Sequence, residues 1–189
     1  MTLIKKILTV QLFFFSVFCF AIPASLSRKR IFDLVENRLA DNGDSQKFIE
    51  GRKYYHFKFQ TDQPRTDSSK KNSEPWKSEE IMYFANDKSE VTQIALIAKI
   101  CGAGKGAEVQ RSIQKQIRTL ASRETNTLFG APLKLKDGDF KEVGPDIDKW
   151  ARVLVDHNLK DVRKVRLGRG LYKCDGRTGF GYRLDFFLT

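Results

Sequence analysis

The sequence predicts an α+β fold in which an antiparallel sheet packs with amphipathic helices. Three observations predict it. Tyr55, Phe57 and Phe59 alternate with Tyr54, His56 and Lys58, a period of two that belongs to a half-buried strand. Apolar residues recur at helical spacing over Ile31 to Leu39 and again over Val109 to Leu120. The remaining apolar runs come in pairs joined by turn formers, as neighbouring antiparallel strands do. Fifteen Phe and an aromatic content of 12% exclude the disordered class.

The chain opens with Lys5 and Lys6 before an almost wholly apolar run from Ile7 to Phe20, and Cys19-Phe20-Ala21 follows with small residues where a signal peptidase reads. That run of about fourteen residues is too short for a bilayer-spanning helix, which needs about twenty. Residues 1–21 are therefore expected to be a secretory signal peptide, with no membrane span. Residues 22–30 form a basic leader in which Arg28-Lys29-Arg30 is either a second processing site or the solvated start of the first helix. Residues 31–189 are expected to be a single α+β domain, with a two-part organisation divided near 102–106 as the alternative.

From Arg30 to Asp41 the residues Ile31, Leu34, Val35 and Leu39 predict a short helix closed by Asp41-Asn42-Gly43. The aromatic strand comes next, then a polar stretch from Thr61 to Glu79 with Pro64 and Pro75 that reads as a long loop. Glu80 to Phe84 and Val91 to Cys101 predict two strands around Asn86-Asp87-Lys88-Ser89. The second is apolar on both faces and belongs at the centre of a sheet. A second helix is predicted from Ala107 to Arg123, with Val109, Ile113, Ile117 and Leu120 inward and Arg111, Lys115 and Arg118 outward. Leu133 to Val143 predicts a hairpin about Asp137-Gly138. Pro145 should open a third helix whose inward face is Ile147, Trp150, Ala151 and Leu154. Val162 to Lys173 and Phe180 to Leu188 predict a closing hairpin.

In an exported chain Cys19 leaves with the signal, and the two remaining cysteines, Cys101 and Cys174, are expected to form one disulfide. A catalytic thiol, the sharper reading, needs a nearby His and a reducing environment. Two histidines and two cysteines scattered along the chain have no metal-ligand spacing, so no metal site is predicted. Gly102-Ala103-Gly104-Lys105-Gly106-Ala107 matches a dinucleotide-binding glycine pattern only formally, since a parallel strand ending in an acidic residue about twenty positions on is missing. No cofactor is predicted.

Charge is unevenly distributed. The formal charge of +11 falls to +9 without Lys5 and Lys6, and residues 101 to 189 hold 18 Lys or Arg against 11 Asp or Glu, a net of +7. Lys160, Arg163, Lys164, Arg166, Arg169, Lys173 and Arg177 cluster with Tyr172, Phe180 and Tyr182 interleaved. Cations that track phosphates beside aromatic faces that stack bases are the composition of a single-strand nucleic-acid surface. An ordinary solvated basic face is the alternative. His56 is a candidate general base or acid for RNA cleavage, with Glu74, Glu79 or Glu80 as its carboxylate, or else a packed structural histidine. His157, near Asp156 and Asn158, reads as solvated.

Tyr54 to Gly102 resembles the guanyl-specific extracellular ribonucleases of fungi, and more closely the ribonuclease-like secreted effectors of powdery mildews. Tyr54-Tyr55-His56, preceded by the helix at Ile31 to Leu39, is similar to the family's Tyr-Pro-His strand. Glu80-Ile81-Met82-Tyr83-Phe84 with Asn86 is similar to its Asp-Arg-Val-Val-Phe-Asn strand, and Val91 to Cys101 to the strand that follows. Ile81 replaces an arginine of the active enzymes, an apolar residue at about Ile97 replaces their second catalytic histidine, and the family's amino-terminal cysteine is missing. Only His56 matches. Residues 103 to 189 lie beyond the resemblance unless Cys101-Gly102 begins a degenerate second copy closed by Cys174. The resemblance implies a noncatalytic ribonuclease-like fold that is secreted, acts inside a host cell as a virulence effector, and binds host RNA or a host protein. The alternatives are a divergent secreted ribonuclease using His56 and a carboxylate, and a structural or adhesive exported protein.

Overall fold

The computed structural model describes residues 48–49, 52–60, 75–102, 106–141, 143, 152–154, 157–174 and 177–189. The expected signal peptide and basic leader, the helix expected at Ile31 to Leu39 and most of the expected loop after Thr61 lie outside the described residues. Among the described residues seven strands form one sheet: β1 (Phe48–Ile49), β2 (Arg52–Gln60), β3 (Trp76–Ala85), β4 (Val91–Cys101), β5 (Arg152–Leu154), β6 (Val162–Cys174) and β7 (Arg177–Leu188). Their order across the sheet is β1-β2-β3-β4-β7-β6-β5, and every pairing is antiparallel. The apolar β4 is central, as its two-faced burial requires. Because β7 returns beside β4, this sheet takes strands from both sides of residues 102–106.

One helix, α1 (Ala107–Phe129), follows β4. Its apolar residues recur every three or four positions, so Ile113, Ile117, Leu120 and Ala121 share one stripe and are buried against β4 and β7. Gly130 ends it in the left-handed conformation, φ 70°, and donates its N–H to the Asn126 carbonyl at 3.0 Å. The helix runs six residues past the expected Arg123. Thr125 explains part of that extension: its hydroxyl donates to the Ala121 carbonyl and accepts from the Leu133 N–H, both at 2.7 Å, so the next segment is tied to the last turns.

The side-chain alternation of the strands then divides the sheet into two unlike faces. On the helix face Phe57, Ile81, Tyr83, Ile94, Leu96, Val165, Leu167, Tyr182, Leu184 and Phe186 build the main core. Gln110 and Gln114 reach across it to donate to the buried Tyr182 hydroxyl at 3.2 and 3.1 Å. The other face carries Tyr54, His56, Ser78, Glu80, Met82, Phe84, Gln93, Lys99, Arg166, Tyr172, Arg183, Asp185 and Phe187.

Three expectations are overturned. Residues 76–79, expected at the end of the long loop, are the first part of β3, because they pair with β4, Trp76 opposite Cys101 and Ser78 opposite Lys99. Asp137–Phe140 is a short 3-10 turn rather than the centre of a hairpin. Its Asp139 carboxylate accepts the Lys136 N–H at 2.7 Å, and Phe140 packs edge-on against Tyr182 at 5.1 Å, so the Asp-Gly signal serves a turn that returns to the core. The helix expected after Pro145 does not include Arg152–Leu154, which pair with Leu167, Arg166 and Val165 as an edge strand. Residues 144–151 lie outside the described set.

Candidate functional site

Cys101 and Cys174 form the expected disulfide, with their Cα atoms 5.7 Å apart. It joins the end of β4 to the end of β6, beside Trp76. Gly179 makes room for it, since a Cβ there would lie 2.6 Å from the Cys174 sulfur and 2.9 Å from the Ile100 carbonyl oxygen. The glycine turn after Cys101 begins at Gly102 with φ +77°. Since β4 runs antiparallel to both neighbours, that turn does not belong to a parallel βαβ unit.

The helix-free face is built around two carboxylates, each held by two basic side chains. Glu80 on β3 is 4% exposed and receives His56 Nε2 from β2 at 2.9 Å and Lys99 Nζ from β4 at 2.5 Å. Lys99 is itself only 5% exposed. Burial alone would push the Glu80 carboxyl up, but the hydrogen bonds and charges of His56 and Lys99 outweigh it and hold the group at about 2. Asp185 on β7 is 1% exposed and is clamped by Arg183 at 2.7 Å and Arg166 at 3.2 Å, while Gln93 donates to it at 2.9 Å.

Around these clusters the strands place aromatic rings and glycines. Tyr54 and Phe84 stack at 5.8 Å. Arg183 lies 5.9 Å from the Phe84 ring centre, and Arg166 and Lys164 lie 5.6 and 5.9 Å from that of Phe187. Tyr172 lies over Gly181, where a Cβ would come within 3.0 Å of its ring and 2.5 Å of the Ala98 carbonyl oxygen. Burial pushes the Tyr172 phenol up, and its hydroxyl has no hydrogen-bond partner among the described residues.

Neither a family model, a curated protein nor a solved structure matches this chain.

Of the two described carboxylates predicted as partners for His56, Glu80 meets it. Glu79 points to the helix face and binds Arg123 of α1 at 2.9 Å, and Glu74 lies outside the described residues. The predicted basic cluster is divided. Lys164, Arg166 and Tyr172 stand on the helix-free face, and Arg177 lies there too, 5.8 Å from the Trp76 ring centre. Arg169 and Lys173 alternate to the helix side, Arg163 is a bulge residue between Val162 and Lys164, and Lys160 is exposed in the turn before β6. Phe180 and Tyr182, which the composition interleaves with those cations, are core residues facing α1. His157 is half-buried, and its Nδ1 has no hydrogen-bond partner among the described residues. Lys99, Arg183, Asp185 and Gln93 escape the sequence reading. One cue exists, the Arg183-x-Asp185 spacing that puts both residues on one strand face.

Proposed function

We propose that this chain is an exported ribonuclease-like binding protein, an effector without ribonuclease activity, that takes single-stranded host RNA on its helix-free sheet face. The observation that supports this most is the company on that face: Lys164, Arg166 and Arg183 beside the rings of Phe84 and Phe187. Fixed cations meet phosphates, and aromatic faces beside them stack bases. Catalysis is disfavoured by Glu80. General-base catalysis works best with a group that titrates near the working pH, and a carboxyl held at about 2 is a weak base.

A second reading rests on one distance. His56 Nε2 lies 2.9 Å from Glu80, and a carboxylate-oriented imidazole with a lysine behind it is the arrangement a divergent ribonuclease would use. Two measurements separate these readings from each other and from a host-protein partner. Binding of a labelled single-stranded RNA should weaken with salt by a log-log slope of about 0.7 per phosphate contact. Lys164→Glu should weaken it severalfold, whereas Lys173→Glu, exposed on the opposite side of the same strand, should not. Absence of RNA binding at physiological salt would leave a host protein as the partner. RNA cleavage that His56→Ala abolishes would establish the enzyme instead.

A further inference from the structure

At the end of the sheet where β3 turns into β4, two irregularities face one another. In the β3 and β4 pairing Phe84 opposes Gln93 but Ala85 opposes Val91, so Thr92 is an extra residue. In the β6 and β7 pairing Val162 opposes Leu188 but Lys164 opposes Phe187, so Arg163 is extra. A bulged residue leaves the ladder and re-aims its side chain, and bulges gather beside binding sites. Both of these line the same cavity, of about 460 Å³, with Phe84, Asn86, Asp87, Gln93 and Phe187 among its walls.

The groups in this cavity define what fits it. Phe84, Gln93 and Phe187 form one row across three adjacent strands, so the two rings are carried two strand spacings apart, about 10 Å, with an amide between them. The amide nitrogen of Gln93 is committed to Asp185, which leaves its carbonyl oxygen as an acceptor on the floor. Asn86 is consumed by its own turn, giving its amide hydrogen to Glu90 and accepting the Lys88 and Glu90 N–H groups. Arg163 is exposed and makes no ion pair among the described residues. Lys164, Arg166 and Arg183 lie 5.6 to 5.9 Å from the centres of the Phe187 and Phe84 rings that line the cavity, and with Arg163 they outnumber the carboxylates of Asp87 and Asp185, so the cavity favours an anion.

We infer that this bulge-flanked cavity binds one nucleotide unit, its base against Phe84 and Phe187 and its phosphate on Arg163. The inference rests on the RNA reading and adds a defined subsite to it. A planar ring uses the aromatic walls, the Gln93 oxygen accepts from a base N–H, and the volume lies within the range of small-ligand sites. The nucleotide belongs to a strand if the rest of the face engages its neighbours, and is free if the cavity acts alone.

Two variants test this with a labelled single-stranded RNA dodecamer and unlabelled nucleoside 5′-monophosphates. Arg163→Gln removes an exposed charge without touching the core. Phe187→Leu removes a ring while keeping an apolar wall, and the circular dichroism and melting curve of each variant are compared with the parent. The expected result is that each weakens dodecamer binding by at least about fivefold, the lower end of the loss for one stacked base or one charged contact. Monophosphates should compete at millimolar concentration with the parent, and more weakly with both variants. If the parent binds the dodecamer and folded Arg163→Gln binds it equally, with monophosphate competition unchanged, the subsite is wrong while the RNA reading stands. Direct binding of a nucleoside 5′-monophosphate, read by calorimetry, without dodecamer binding identifies a free-nucleotide site and overturns the RNA reading alone. If neither probe binds, both fall.

Discussion

Replacing Glu80 with Gln isolates the buried cluster at the centre of the helix-free face. In the parent the carboxyl is lowered from its ordinary 4.5 to about 2, and at about 1.36 kcal/mol per unit this contributes about 3 kcal/mol to folding at neutral pH. The sign follows from the depressed value: the contribution is complete above the unfolded-state value and is lost as pH falls through the folded one. By pH 3 about 2 kcal/mol of it should be gone. Glu80→Gln keeps the shape but removes the charge, leaving Lys99 buried without its anion, a loss of about 3 to 5 kcal/mol at pH 7. Urea denaturation of parent and variant between pH 7 and pH 3 reads both effects. The variant should be much less stable at pH 7, and the gap should narrow as acid protonates the parent. Parallel pH profiles, with a constant gap, would refute the reasoning because Glu80 would then not be held ionised by His56 and Lys99.

Three further outcomes are expected. Replacing both Cys101 and Cys174 with Ser opens a link across 73 residues and should cost about 4 kcal/mol in denaturant midpoints, or a few degrees of melting temperature for each kcal/mol. Gly181→Ala should destabilise by about 1 to 3 kcal/mol, because the new Cβ meets backbone at 2.5 Å and the Lys99 Cβ at 2.7 Å, while Gly138→Ala, with nothing within 4 Å, should be nearly neutral in the same melt. A reporter fused to residues 1–30 should be exported and cleaved after Ala21, and its retention in the cytoplasm on fractionation would remove the ground for calling the protein an effector.

The fold is legible in the sequence where periodicity and burial agree. The apolar run of β4 announces a central strand, the helical stripe from Val109 to Leu120 announces α1, and the turn-forming residue types of Asp175-Gly176-Arg177 announce the β6 and β7 hairpin. It is illegible where one local signal serves two structures. Asp137-Gly138 suits a hairpin turn and a 3-10 turn alike, and only the packing of Phe140 on Tyr182 decides between them. Arg152–Leu154 is a three-residue edge strand, too short for its period to show, and pairing with β6 overrides the helical pattern around it. The site is harder still. Gln93 and Asp185 are 92 residues apart, and their contact exists only because β7 returns beside β4. Charge composition finds the basic segment but not its faces, so Arg169 and Lys173 are grouped with Lys164 although alternation sends them to the other side.

The two clamped carboxylates bear on the proposed binding of a polyanion by this face. Buried ion pairs are poor stabilisers relative to apolar residues of the same volume, so stability alone is a weak reason to keep Glu80, Lys99, Asp185, Arg166 and Arg183 inside one sheet face. Position is a better one. Each carboxylate neutralises about one cation and fixes two, and the guanidinium groups of Arg166 and Arg183 are held beside Phe187 and Phe84 before any ligand arrives. Ordering a long charged side chain on binding costs about 0.5 to 1.5 kcal/mol, a cost already met here by Asp185. Asp185→Asn should therefore leave the net positive charge higher yet weaken RNA binding, because both arginines lose their anchor. An increase in affinity measured at constant salt would show that charge count, not cation placement, governs the face.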